Sequence, residues 1–213
     1  MKNIALLALC AAPVMAGTPV TTIAPTPTPV PTPAVSPWAI EIGAVGNLAN
    51  RDFIREGSSQ KVDTYGADIT ALYHMAEHHA LTLRLSYIYG SETFRFTDEA
   101  PEENYSAKAT VQTFSIMPGY RYTHPLTDRL SAFAGANIGL AHERVTAKDE
   151  FGKDGANDWG FAYAAELGLS YRIFPKTSLY AAVQYSGNTV DHWDWNTQKQ
   201  NYTGLRMGVN YRF

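Results

Sequence analysis

The segment at the C-terminal end of the chain, residues 202–213, alternates between apolar and polar or small residues and finishes on Phe213. Successive side chains of a β-strand point to opposite faces, so this segment has one apolar face and one polar face. The apolar face runs to the last residue, whereas the ends of water-soluble domains are commonly polar and poorly ordered. Strands of membrane-spanning barrels have this pattern because they turn apolar side chains to lipid and polar ones to the lumen. The segment therefore predicts a membrane-spanning β-strand.

Residues 1–16 have the features of a cleavable secretory signal peptide. A short basic start precedes an apolar run that is too short to span a bilayer, and small residues near Ala16 allow cleavage. The single cysteine, Cys10, lies inside this segment, so the mature chain has no thiol for a disulfide or a metal. An acylated Cys10 is the weaker alternative, because Leu9 occupies a position where a lipoprotein signal needs a small residue.

Residues 17–37 form a tract rich in proline and threonine. Proline lacks an amide proton and favours the polyproline II conformation, so the tract is predicted to be a disordered spacer in the periplasm. A contact with peptidoglycan or a periplasmic partner remains an alternative role for it.

Residues 38–213 contain eight alternating segments, which predict eight strands in one barrel domain. Three short connections (76–80, 124–128 and 174–178) alternate with four long polar ones (50–61, 97–108, 146–158 and 187–201). Short periplasmic turns and longer external loops are typical of outer-membrane barrels. The net charge of −3 and the lack of a basic block argue against nucleic-acid binding. The segments are 38–48, 62–75, 81–96, 110–123, 130–145, 161–172, 179–186 and 202–213.

The chain ending, with Val209, Tyr211 and Phe213 at alternate positions, resembles the C-terminal signal of bacterial outer-membrane β-barrel proteins. From Trp38 onward the chain is similar to the small eight-stranded outer-membrane barrel superfamily, which includes the OmpA transmembrane domain, OmpX-like and opacity-type proteins. The resemblance implies an all-β, eight-stranded antiparallel up-and-down transmembrane β-barrel. It also implies recognition by the barrel-assembly machinery and contact with outer-membrane lipid and lipopolysaccharide. We expect a monomer.

Eight ionisable residues are predicted to point into the lumen. An eight-stranded barrel is just wide enough for side chains to fill it, and a charge buried there must be paired. We therefore predict a salt-bridge plug that closes the lumen to all but water or small ions. The alternative is that the same charges only stabilise the barrel wall. The residues are Glu41, Asp68, Arg84, Arg121, Glu166, Arg172, Arg206 and Arg212.

No catalytic residue, metal site or cofactor is predicted. The sequence from His74 to His78 matches the H-x-x-E-H pattern of a zinc peptidase class, but that chemistry needs a helix and the motif spans a strand end and a turn. For a lipid A-modifying enzyme, Ser186 and His192 are the least implausible pair, and they lack the spacing of a serine–histidine site.

Trp193 and Trp195, in the last long connection, are the most suggestive external residues. They fit a contact with a host surface, a glycan or a lipopolysaccharide sugar, because aromatic rings dominate binding hot spots. Alternatively, they belong to an aromatic girdle at the membrane surface. The favoured function is a structural and surface-interaction role, which covers envelope integrity, adhesion or ligand contact. A narrow porin-like channel is the alternative, followed by a lipid A-modifying enzyme.

Overall fold

The computed structural model describes residues 36–55, 58–97, 104–148, 152–190 and 200–213. These residues form eight antiparallel strands, each paired with the next, and the last pairs with the first to close a barrel. The predicted fold class is therefore confirmed. No helix within the described ranges is long and apolar enough to cross a membrane. The strands are β1 (Trp38–Arg55), β2 (Ser58–Ala76), β3 (His79–Thr97), β4 (Asn104–Pro125), β5 (Leu130–Lys148), β6 (Lys153–Phe174), β7 (Thr177–Asn188) and β8 (Gln200–Arg212).

The two-residue alternation of the sequence decides which side chains lie inside the barrel. In β6, Leu167 and Leu169 are exposed on the outer wall, while Ala164 and Glu166 are buried in the lumen. The exposed apolar residues form a band around the barrel, as a lipid-facing wall requires. Aromatic rings border the band. They include Trp38, Tyr73, Tyr120, Tyr171 and Tyr211 near the short turns, and Tyr65, Trp159, Phe161 and Tyr185 near the opposite end.

Aromatic side chains also lie inside the barrel, and glycines on other strands make room for two of them. A Cβ atom on Gly43 of β1 would collide with the Tyr180 hydroxyl, and one on Gly168 of β6 would collide with the Phe133 ring. Tyr180 and Phe133 are each about 5% exposed or less, and their ring centroids are 6.4 Å apart. The glycines thus allow large rings to fill a narrow lumen.

The short turns agree with the sequence analysis, but all four long connections are shorter than predicted, and the last of them, 189–199, differs least. β1 and β2 extend to Arg55 and Ser58, β3 reaches Thr97, and β5 and β6 extend to Lys148 and Lys153. The prediction was wrong because polar residues were assigned to loops. Beyond the membrane both faces of a hairpin contact water, so its strands continue without an apolar alternation. We call this end of the barrel the hairpin end and the other the short-turn end.

The barrel closes where β8 lies against β1. Their register pairs Ile42 with Val209 and Val45 with Arg206, and the Phe213 amide donates to the Trp38 carbonyl oxygen over 3.1 Å. The end of the chain is therefore fixed at the short-turn end, beside the first residue of β1. The predicted signal peptide lies outside the described residues, as does the predicted tail up to residue 35.

Candidate functional site

Six of the eight predicted lumenal charges meet in one buried layer. Three carboxylates and three guanidinium groups contribute to it, so the formal charges cancel. Each of the six residues is at most 4% exposed. They are Glu41, Asp68, Arg84, Arg121, Glu166 and Arg206, and we call them the lumenal charge cluster.

Arg206 of β8 is the most enclosed member and is 0% exposed. Its guanidinium group donates two hydrogen bonds to Asp68, of 2.8 Å from Nε and 2.5 Å from Nη2. Nη2 also donates to the Thr70 hydroxyl over 3.0 Å, and Nη1 lies 3.2 Å from Glu41 and 3.3 Å from Glu166. The paired geometry toward Asp68 matches the planar fork of arginine to a carboxylate. Arg206 therefore connects all three acids.

The other two arginines complete the network. Arg121 binds Glu41 through both terminal nitrogens, one of them over 2.9 Å, and donates to Glu166 over 2.7 Å. Arg84 donates to Glu166 over 2.5 Å. Glu166 thus accepts from all three arginines, which compensates the cost of burying its charge.

Two inward-facing rings cover two of the three guanidinium groups. The Arg121 Cζ atom lies 4.5 Å from the centre of the Phe133 ring, and the Arg206 Cζ atom lies 4.6 Å from the centre of the Tyr180 ring. Cations stack favourably on aromatic faces at such distances. With Phe133 on β5 and Tyr180 on β7, every strand of the barrel supplies one side chain to this layer. The charges and rings therefore fill the lumen at one height.

Arg172 and Arg212 do not join the cluster, so their assignment to it is corrected. Both lie at the short-turn end, beyond the reach of its carboxylates. Arg172 is exposed and donates to the backbone oxygen of Asp128, over 2.6 Å. The Arg212 Nε atom donates to the Ser36 carbonyl oxygen over 3.2 Å. These arginines fix backbone at the rim, because the strand ends there and leaves carbonyl groups to be satisfied.

The sequence analysis missed a fourth buried acid and the two rings. Glu143 of β5 is 0% exposed and accepts hydrogen bonds from Thr113, over 2.9 Å, and Asn188, over 3.2 Å. The signal that could have found it was the alternation of β5, which turns odd-numbered residues inward. The same parity places Phe133 inside. Weak lipid-facing residues such as Ala134 and Ala136 obscured that pattern.

A cavity of about 40 Å³ lies between the lumenal charge cluster and the hairpin end. This volume holds only a few water molecules. Its floor includes Asp68 and Arg84, and its wall includes the hydrogen-bonded hydroxyls of Ser86 and Ser115, 2.7 Å apart. Val190 follows β7 at the hairpin end and is buried in an apolar cluster with Met117, Ala141, Ala162 and Ala164. The cavity is therefore small and ends at the charge cluster.

The candidate metal ligands of the described residues do not assemble into a site. Within the described residues, no group of three or more histidine, cysteine, aspartate or glutamate side chains is arranged to hold a metal ion. His78 and His79 contact the Tyr122 ring on the outer wall instead, with centroids 6.0 and 5.4 Å apart. His192, Trp193 and Trp195 lie outside the described residues, so the pairing of Ser186 and the predicted loop contact stay predictions.

The three residues of the predicted assembly signal lie on the outer wall of β8 and at the chain end. Val209, Tyr211 and Phe213 are all exposed, and the rings of Tyr211 and Phe213 meet edge to face with centroids 5.4 Å apart. They form a continuous apolar strip beside Trp38. Their recognition by the assembly machinery stays a prediction.

Comparison with solved structures identifies other outer-membrane barrels. Neisserial surface protein A shares 16% sequence identity with a TM-score of 0.54, covering 84% of this chain and 99% of its own. A major outer membrane protein from Thermus thermophilus shares 11% identity with a TM-score of 0.50, covering 83% and 99%. Ail of Yersinia pestis shares 17% identity with a TM-score of 0.48, covering 84% and 99%. At such identities the likeness shows the fold alone.

Comparison with curated proteins finds no significant match. A family model described as an outer membrane protein beta-barrel domain matches residues 4–213, nearly the whole chain. The short-turn end is then the periplasmic end and the hairpin end is external. On the strength of this match and of the closed eight-stranded fold, the chain belongs to the outer membrane protein β-barrel domain family and is located in the outer membrane.

Proposed function

We propose that this protein is a closed membrane anchor that presents its external hairpins for surface interactions, and that it neither conducts solutes nor acts as an enzyme. The observation that carries this proposal is the layer to which all eight strands contribute a side chain. Its ionic members are at most 4% exposed and are held by hydrogen bonds of 2.5–3.3 Å. Moving a solute past it would require unpaired charges in a narrow lumen, which is strongly unfavourable.

A narrow channel is the competing function, and the external cavity is the observation that favours it. The cavity of about 40 Å³ is much smaller than ligand pockets, which usually have several hundred Å³. It also ends at Asp68 and Arg84. The cavity therefore supports hydration of the lumen better than passage through it.

Single-channel recording in planar bilayers tests the proposal directly. We expect no discrete conductance steps from the purified full chain. A matched variant, Asp68→Ser with Arg206→Ser, removes one acid and one base, so the cluster stays neutral while its centre becomes smaller. We expect this variant to conduct. Discrete steps from the unaltered protein, equal to those of the variant, would show that the lumen is open and would refute the proposal.

The external part of the molecule contains the surface available for contacts. It consists of the hairpin of β1 and β2 and the longer hairpins formed by β3 with β4 and β5 with β6. We propose that these strands, together with the segment 191–199 that contains Trp193 and Trp195, make the contacts with surface ligands. The same function has no need of a cofactor.

A further inference from the structure

Near the hairpin end, β3 to β6 continue as a sheet beyond the aromatic girdle, and we call this part the external sheet. Its outer face has a row of lysines on three neighbouring strands. In the antiparallel register, Lys108 of β4 pairs with Lys148 of β5, which pairs with Lys153 of β6. Paired residues share a face, and neighbouring strands are about 4.8 Å apart. All three lysines are exposed. We call Lys108, Lys148 and Lys153 the lysine row.

Like charges placed directly opposite each other destabilise a sheet. No carboxylate of the described residues lies within ion-pair distance of a side-chain nitrogen of the lysine row. Among these residues the row therefore has an unrelieved positive charge, and the sheet gains no stability from it. Such an arrangement favours an anionic partner.

The described acidic residues of β3 to β6 near the hairpin end lie on the opposite face of the sheet. Asp154 is adjacent to Lys153 in β6, and alternation places the two side chains on opposite sides. Asp158 has the same parity as Asp154 and pairs with the inward-facing Glu143. Glu92 of β3 pairs with the buried Ala109 and so also belongs to the inner face. Over the described residues of β3 to β6, this part of the sheet thus has a basic outer face and an acidic inner face.

The height of the basic face above the membrane identifies its surroundings. Phe114, His142 and Trp159 form one row across β4, β5 and β6, and the His142 and Trp159 rings lie 4.8 Å apart. This row belongs to the external aromatic girdle. Arg144 is exposed two residues above it on β5. At a rise of about 3.3 Å per residue and a tilt of about 40°, Arg144 lies about 5 Å above the girdle and Lys148 about 15 Å above it.

We infer that Arg144 and the lysine row form a binding face for the phosphate groups of lipopolysaccharide in the surrounding outer leaflet. The outer face points sideways, over the lipid around the barrel, and not outward along the barrel axis. The anionic groups at these heights in the outer leaflet are those of the lipid A headgroup and the inner core. Lysine binds phosphate as a point charge, and arginine binds it through its planar fork.

The test measures the affinity of the detergent-solubilised full chain for purified rough-type lipopolysaccharide. Charged residues near an anionic membrane surface contribute about 1 kcal/mol each, which is about a fivefold change in affinity. We therefore expect the double variant Lys148→Gln with Lys153→Gln to bind about 30-fold more weakly. Arg144→Gln should bind about fivefold more weakly. Lipopolysaccharide stripped of its phosphates should bind the unaltered protein and the double variant equally weakly.

The matched control is Arg129→Gln with Lys176→Gln, which removes two exposed positive charges from the periplasmic turns. We expect its affinity to change less than twofold. Equal affinity of both double variants for lipopolysaccharide would overturn the inference. It would also be overturned if the Lys148→Gln, Lys153→Gln variant lost affinity for a soluble sulfated polysaccharide but kept its affinity for lipopolysaccharide. This inference rests on the proposed surface role, because it names one partner for that role. Conductance is measured independently, so a closed lumen with unchanged lipopolysaccharide binding would reject only the lysine row.

Discussion

Arg206 and Asp68 are expected to depend on each other for most of their contribution to stability. Arg206→Gln removes the side chain that donates two hydrogen bonds to Asp68, of 2.5 and 2.8 Å, and leaves an unpaired negative charge in a buried layer. Asp68→Asn leaves an unpaired positive charge instead. Removing one partner of a buried ion pair costs about 3–5 kcal/mol, so we expect each single variant to lose about 4 kcal/mol in the free energy of unfolding.

The double variant restores neutrality in the cluster. It removes the ion pair without leaving an uncompensated charge, so we expect a loss smaller than that of either single variant and far below the roughly 8 kcal/mol of two independent changes. The assay is urea unfolding in lipid vesicles, followed by tryptophan fluorescence and by heat-modifiable gel migration. A coupling energy below about 0.5 kcal/mol would mean that the two residues act independently, and the argument for a connected cluster would then be wrong.

Two further substitutions test the lumen and the wall by the same unfolding assay. Tyr180→Phe should leave the free energy of unfolding unchanged or raise it by up to about 1 kcal/mol. The buried Tyr180 hydroxyl has no hydrogen-bond partner among the described residues, and the ring remains over Arg206 in the variant. A loss above about 1 kcal/mol would show that the hydroxyl has a partner. Leu167→Arg should cost about 2–4 kcal/mol, because this residue is 69% exposed on the lipid-facing wall, whereas Asn157→Arg on the external part of β6 should cost about 0–1 kcal/mol. Equal losses at the two positions would contradict the assigned depth.

The alternation in the sequence was enough to predict the strands within the membrane, because lipid on one side and a packed lumen on the other constrain every residue. Leu167 and Glu166 show the rule, since one lies on the wall and the other in the charge cluster. This constraint ends above the girdle. Lys148 and Lys153 have water on both faces, so their strand conformation depends on pairing across the hairpin, which the sequence pattern does not show.

The lumenal charges were predictable as a set but not as contacts. The alternation of each strand identified both Arg84 and Arg172 as inward-facing residues. They differ in their height along the barrel axis, so that Arg84 contacts Glu166 whereas Arg172 contacts the backbone of Asp128. Height depends on strand stagger, which alternation leaves undetermined. Alternation also does not predict Tyr180 over Arg206, because that contact depends on space left by Gly43 on another strand.

The partners within the charge cluster come from distant parts of the chain. Arg206 is 138 residues from Asp68 and 165 residues from Glu41, so these contacts form only when β8 reaches β1. An open sheet leaves the same groups hydrated, and interactions that form after the transition state slow unfolding without speeding folding. The contacts of Arg206 therefore form late, once the barrel has closed, and they oppose its opening. A barrel that has closed should persist for a long time in the membrane, while a barrel that has not closed gains nothing from its charges.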